Sequence, residues 1–200
     1  MLSLSAVEAH KPAPQGSAEP QRVESEPTLE VVTPQQMYAA TTESLSSLDF
    51  RNFQFHVFDK SGKAILTAKL RNGKYQSKWT SRDGSNWLRL DSVRFIGRHS
   101  EFAVISLSWV STGASASDFG LVQVFALHEK HPVVVQQILF NVRGCGTSAR
   151  ISDHTGVLTI KGVHGWEHCC SKTLDVVTFC WTGSSFKRQS YESVPLPKVC

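Results

Sequence analysis

From residue 50 onward the chain alternates apolar and polar residues in short runs, and this period of two is its most constraining feature. In the run 53–57, for example, Phe53, Phe55 and Val57 fall on one face of an extended chain. Further runs, separated by glycine, serine or His-Pro clusters, cover residues 65–70, 74–79, 87–96, 102–110, 120–127, 133–141, 156–161, 173–181 and 186–191. The pattern predicts a mainly β fold, a single two-layer antiparallel domain built as a sandwich or an open barrel.

Two of these runs and two turn signals refine the prediction. Residues 104–107 and 133–135 are apolar on both faces, which is typical of central strands covered on two sides. Asn72-Gly73 is a strong signal for a two-residue turn, because a type I′ turn needs positive φ at both positions. It predicts a hairpin between residues 65–70 and 74–79, and residues 59–62 predict another turn.

The first 48 residues have a different composition from the rest of the chain. They hold two basic and six acidic side chains, five of the eight prolines and no Phe, Trp or Cys, whereas residues 49–200 hold 19 basic and 11 acidic side chains. Such a segment buries too little apolar surface to offset the entropy of ordering it. Residues 1–32 are therefore predicted to be a disordered tether or the remnant of a targeting segment. Residues 1–9 lack the apolar core of a complete signal peptide.

One helix is predicted ahead of the strands. Thr33 is a suitable N-cap, Pro34 suits the first helical position, and Gln36 completes a capping box. The apolar residues that follow at helical spacing are Met37, Ala40, Leu45 and Leu48. This predicts a short N-terminal packing helix over residues 33–48, a β domain over 49–194 and a C-terminal tail over 195–200. No apolar run approaches the ~18 residues of a membrane-spanning helix.

The C-terminal third carries a resemblance to a known group of proteins. His168-Cys169-Cys170-Ser171 precedes a strand that ends in Trp181, Gly183 and Phe186. This resembles uncharacterised bacterial secreted or lipid-anchored β domains, in which a Cys-Cys-Pro-Ser turn leads into an aromatic-x-Trp-x-Gly hairpin. The resemblance implies an exported, periplasmic or extracellular β domain and no known reaction. Residues 97–101 hold a single carboxylate, so no calcium site is carried over.

Four cysteines are candidates for disulfide bonds in an exported protein. Cys169 and Cys170 are adjacent, so on an extended chain their side chains point to opposite faces. Pairing of Cys145 with either of them would close a loop of about 25 residues and stabilise the fold by roughly 3 kcal/mol. Cys180 could take the other member of the pair, which leaves the terminal Cys200 as the odd thiol.

A metal site is the alternative use of the same region. Zinc accepts the ligands offered by Cys145, His164, His168, Cys169 and Cys170. However, Gly162 and Gly165 disfavour the helix that would align the two histidines, and the paired Cys-x-x-Cys spacing of structural zinc sites is missing. No metal or other cofactor is favoured, and zinc is retained as the alternative.

No catalytic residue is assigned from the sequence. The motifs Gly-x-Ser-x-Gly and His-Glu-x-x-His and both common phosphate-binding glycine loops are missing from the chain. The carboxylates beyond residue 48 show no spacing that suggests a glycosidase pair. A non-enzymatic protein is favoured, and a hydrolase with a site built from loops stays as an alternative because catalytic groups are recognised by geometry.

Cationic and aromatic residues alternate along the predicted hairpin and form the candidate binding surface. These residues are Lys69, Arg71, Lys74, Tyr75, Lys78 and Trp79. Such a surface binds single-stranded nucleic acid or an anionic polysaccharide, but no RNA-binding motif accompanies it, so nucleic acid is disfavoured. Alternatively, the lysines only keep a sheet edge soluble. The small-residue loop at 111–119 is a second candidate contact region.

Together these features predict an exported, non-enzymatic β domain for binding or structural support at the bacterial cell envelope. The expected partner is an envelope polymer or another envelope protein. The sequence does not define the oligomeric state.

Overall fold

The computed structural model describes residues 26–78, 84–97, 100–112, 117–142, 147–152, 156–165 and 172–197. These residues form thirteen strands and two 3₁₀ turns, Leu45–Ser47 and Phe50–Asn52. The strands are β1 Leu29–Val32, β2 Gln36–Met37, β3 Gln54–Phe58, β4 Ala64–Lys69, β5 Lys74–Lys78, β6 Ser85–Ile96, β7 Phe102–Ser111, β8 Ser117–His128, β9 His131–Asn141, β10 Ser148–Ile151, β11 Val157–Val163, β12 Thr173–Trp181 and β13 Phe186–Pro195. All ten predicted strands are present, and the predicted mainly β fold with antiparallel sheets is confirmed.

The large sheet has the strand order β1-β9-β8-β7-β6-β5, and β2 also pairs with β9. Strands β10 to β13 form the small sheet, which packs on one face of the large sheet, and β3 with β4 forms the hairpin layer on the other face. On β7, Ile105 and Leu107 contribute to the core under the hairpin layer, whereas Val104 contributes to the core under the small sheet. The predicted central strands 104–107 and 133–135 are therefore covered on both faces.

The core under the hairpin layer contains a group of aromatic side chains among aliphatic ones. Five buried rings contact one another with centroid separations of 5.0–6.4 Å. We call them the aromatic cluster: Tyr38, Phe50, Phe53, Phe55 and Phe125. Burial raises the pKa of the Tyr38 hydroxyl far above its usual range. This hydroxyl accepts a hydrogen bond from the His56 backbone N–H at 3.1 Å.

Two adjacent glutamines on β9 join the layers. Gln137 accepts from the Phe58 N–H at 3.0 Å and donates to the Phe58 carbonyl at 2.7 Å. Gln136 forms the same pair of bonds with Phe186 in the small sheet, at 2.8 and 2.9 Å. Each side-chain amide therefore provides hydrogen-bond partners for a buried backbone N–H and C=O that strand pairing leaves without a partner.

The predicted helix at 33–48 is wrong. Only residues 36–37 form a strand and residues 45–47 a 3₁₀ turn. Hydroxyl side chains compete for the backbone in this segment: Thr42 Oγ1 donates to the Ser44 carbonyl at 2.8 Å, and Ser44 Oγ accepts from the Ser46 N–H at 3.2 Å. Such local bonds offer the backbone an alternative to helical pairing. Tyr38, which the helical pattern did not use, becomes the buried anchor of the segment.

Two further predictions are corrected in part. The turn at Asn72-Gly73 is present, with φ of 53° and 81°, but the strands that flank it do not pair with each other. β4 pairs with β3 and β5 pairs with β6, so the chain passes from the hairpin layer into the large sheet after a single bridge between Arg71 and Lys74. Residues 29–32, predicted as part of the tether, instead form β1 and pair with the edge of β9. Residues 1–25 lie outside the described part of the chain.

Candidate binding surface

The small sheet covers only part of the face on which it packs. Residues that pair directly across strands share a face, and the register joins Gln76 with Trp87, Lys74 with Arg89, and Arg89 with Ser108. We call this uncovered part of the large sheet the open face, and it comprises Lys74, Gln76, Trp87, Arg89, Asp91 and Ser108. These side chains lie on three neighbouring strands, β5, β6 and β7.

The open face is exposed to solvent, whereas the opposite face of the same strands is buried. Trp87 is 48% exposed, although Leu88, which follows it and points the other way, is only 1% exposed. The Trp87 indole N–H donates to Ser85 Oγ at 2.7 Å, which fixes the orientation of the ring. An exposed indole held by a hydrogen bond among polar and charged neighbours is common in binding surfaces, where tryptophan is enriched.

Hydrogen bonds also fix the charged groups of this face. Arg89 Nε donates to Asp91 Oδ1 at 2.9 Å, and Ser108 Oγ donates to Asp91 Oδ2 at 2.6 Å. The register shifts between Leu90 and Ser92, which is a β-bulge in β6. Bulges of this kind re-aim side chains. Here the bulge residue Asp91 reaches Ser108 on the open face.

A cleft of 460 Å³ adjoins the open face where β10 of the small sheet approaches β6 and β7. Its polar lining comes from both sheets and consists of Arg89, Asp91, Ser92, Ser106, Ser108, Thr147 and Ser148. Phe140 and Val142 provide an apolar part of the lining. The volume lies within the range of about 300–1,000 Å³ that is usual for small-ligand sites.

A second polar cluster surrounds Asp175, which is 2% exposed. Its carboxylate accepts from the Thr28 N–H at 2.6 Å and the Tyr191 hydroxyl at 3.0 Å, and it lies 2.9 Å from His164 Nδ1. Thr28 Oγ1 accepts from the Gly165 N–H at 2.8 Å. This cluster attaches the start of β1 to the small sheet, so the predicted zinc ligand His164 has a structural role here.

The six residues of the predicted binding surface do not share one face. Lys74 lies on the open face, and Lys78 lies farther along the same strand. Tyr75 points the other way and packs against the core under the hairpin layer. Lys69 and Arg71 belong to the hairpin side of the chain, because β4 pairs with β3. Trp79 lies outside the described residues, as do residues 113–116 of the candidate loop at 111–119, whose two ends belong to β7 and β8.

Most of the cysteine and metal predictions also lie outside the described residues. Cys145, His168, Cys169 and Cys170 are among them. Cys180 is described, and it is a free thiol that donates to Gln189 Oε1 at 2.9 Å rather than a member of a disulfide. Within the described ranges, no group of three or more metal-binding side chains is present.

Sequence reasoning missed Asp91, Ser92 and Ser106. A bulge is not visible in a pattern of apolar and polar residues, and serines within an apolar run carry little signal. Trp87 and Arg89 were available as an exposed i, i+2 pair on one predicted strand, since such residues share a face.

Comparison with known proteins adds nothing to this geometry. No known protein family, curated protein or solved structure matches this chain. In the part of the chain that the structure describes, no helix is long and apolar enough to cross a membrane.

Proposed function

We propose that this protein is an exported, non-enzymatic binding domain that attaches to an acidic polymer of the bacterial cell envelope through the open face. Export is inferred from the sequence resemblance around Cys169 and Cys170. The binding role is supported above all by Trp87, a fixed and exposed indole that lies beside two cations on an uncovered sheet.

The charges favour an acidic partner. Lys74 and Arg89 are neighbours on β5 and β6, and both are exposed. Of the carboxylates on this face, Asp91 is bound to Arg89, and Asp118 on β8 lies two strands from Trp87, with Val110 between them. The basic excess of residues 49–200 adds a long-range attraction for polyanions, which salt screens.

The alternative role of these cations is to keep the edge strand β5 from pairing with other chains. That role does not need an aromatic ring fixed in solvent on the next strand. Trp87 therefore supports a binding surface over a merely soluble edge.

The test is sedimentation of the full chain with isolated cell-wall sacculi that retain their anionic polymers. We expect Trp87→Ala and Arg89→Gln each to weaken retention about tenfold, as for a central interface residue. Lys69→Gln is the matched control, since it removes a cation from the hairpin layer and should leave retention unchanged. Equal retention of all three variants, or no retention of the unmodified protein, would overturn the proposal.

A further inference from the structure

The cleft beside the open face is suited to recognising one unit of the bound polymer. We infer that it is a subsite for a single acidic sugar ring of the uronic-acid type, and that it determines which polymers the domain accepts. This inference rests on the proposed function and specifies its ligand.

The serine hydroxyls of the cleft provide the first argument. Ser106 is only 8% exposed and lines the cleft, yet its hydroxyl makes no hydrogen bond with another described residue. Ser92, directly across from it in the register, has no such partner either. Both hydroxyls therefore face the cleft and are available to a ligand. Ring hydroxyls are suitable partners, since they donate and accept as serine does.

The bulge in β6 provides the second argument. Without it, neighbouring residues of a strand would point to opposite faces. With it, Asp91 contacts Ser108 on the open face and Ser92 lines the same cleft. Bulges recur beside binding sites for this reason.

Arg89 accounts for the preference for an acidic sugar ring. Its Nε donates to Asp91 and its Nη2 to Ser108 Oγ at 3.5 Å, and the guanidinium, whose side chain is 63% exposed, keeps further N–H groups at the mouth of the cleft. A guanidinium held in this way is suited to a carboxylate. The ligand carboxylate would therefore lie at the mouth and its ring hydroxyls toward Ser92 and Ser106.

Trp87 then receives the next unit of the polymer. It lies two residues before Arg89 on β6, about 6.6–6.8 Å along the strand. That distance is comparable with the length of one sugar ring. A ring stacked on the exposed indole and a ring in the cleft are thus consistent with two consecutive units of one chain.

The experiment measures the binding of the full chain to three soluble polymers by affinity electrophoresis. Polygalacturonate is the acidic sugar polymer, dextran the neutral sugar polymer and polyglutamate an acidic polymer without sugar. We expect binding to polygalacturonate only. The double variant Ser92→Ala/Ser106→Val should weaken this binding about tenfold, the effect of losing about one net hydrogen bond.

The control variant is Ser193→Ala, an exposed serine on β13 away from the cleft, which should bind as the unmodified protein does. A melting curve for each variant excludes unfolding as the cause. If the double variant alone unfolds, Ser92→Ala is measured by itself, and an unchanged affinity then overturns the inference.

The outcomes separate this inference from the proposed function. If Trp87→Ala loses binding while the serine variants keep it, the open face binds polymer and the subsite is wrong. Equal binding to polyglutamate overturns recognition of a sugar, and equal binding to dextran overturns recognition of its acid group. If the unmodified protein is retained by wall sacculi but binds none of the soluble polymers, only the sugar class is overturned.

Discussion

The two layers that cover the large sheet are attached in the same way but leave different surfaces behind. Gln137 holds Phe58 of the hairpin layer, and its neighbour Gln136 holds Phe186 of the small sheet. The hairpin layer lies over the aromatic cluster, whereas the small sheet covers a mainly aliphatic core and leaves β5, most of β6 and part of β7 open.

This difference separates the stabilising region from the candidate binding region. Under the hairpin layer, the central strands present buried rings and aliphatic side chains together with the buried amides of Gln123 and Gln137. Under the small sheet, the polar side chains of β6 and β7 meet solvent at its border. Because the small sheet does not reach the β5 edge of the large sheet, a cleft forms at its border, and no cavity inside a core is required.

The largest expected effect comes from the aromatic cluster. Phe125 is fully buried, and its ring lies 5.6–6.0 Å from Tyr38, Phe50, Phe53 and Phe55. Phe125→Ala should lower the free energy of unfolding by about 5 kcal/mol, because rigid rings cannot collapse into the space. Phe179→Ala, in the core under the small sheet, should cost about 3 kcal/mol. Urea denaturation measures both, and a larger loss for Phe179→Ala would contradict the contrast between the two cores.

The glutamine pair gives an intermediate effect. Gln137→Met keeps the length of the side chain but leaves the Phe58 N–H and C=O without partners, which should cost about 2–4 kcal/mol. Gln136→Met should cost somewhat less, because Gln137 also accepts from Gln123 Nε2 at 3.0 Å. Gln54→Met, on an exposed position of β3, is the control with no expected change in stability. Equal stability of all three variants by chemical denaturation would show that the glutamines do not hold the layers.

The smallest effect is a pH dependence confined to the hairpin layer. Burial lowers the pKa of His56, which lies next to the Tyr38 ring. The unfolded chain therefore binds a proton more readily than the native protein as pH falls below about 6.5. Stability should decrease from there toward the lower native pKa, and His56→Gln should reduce this decrease. The free energy of unfolding is measured at pH 7 and pH 5 for the unmodified protein and for His56→Gln. An equal decrease between the two pH values in both proteins would exclude His56 as the cause.

The sequence predicted the strands well because their signals are local. Alternation, apolar runs and the Asn72-Gly73 turn need no knowledge of the rest of the molecule. β4 is flanked by two predicted turns, and the alternation alone does not show that the turn at 59–62, rather than Asn72-Gly73, joins it to its partner β3. The prediction of a helix at 33–48 was wrong for two reasons. Its apolar period was weak, and local hydroxyl bonds together with pairing to the edge of β9 favour an extended chain instead.

The candidate site was predictable only in its chemistry. A basic surface with an aromatic residue was expected, and Lys74 belongs to it. Its other members depend on which face each strand presents and on a bulge that shifts the register between Leu90 and Ser92. Only the assembled sheet brings Trp87, Arg89 and the cleft serines together.

The glutamine pair also sets an order of events during synthesis. Phe58 and Gln137 are 79 residues apart, so the hairpin leaves the ribosome long before its partner on β9 exists. Until then the backbone N–H and C=O of Phe58 lack their native partner and can bond only with water or another chain. Such distant contacts form slowly, and bare strand edges invite association. The nascent protein therefore passes its most vulnerable stage between the emergence of residue 58 and that of residue 137.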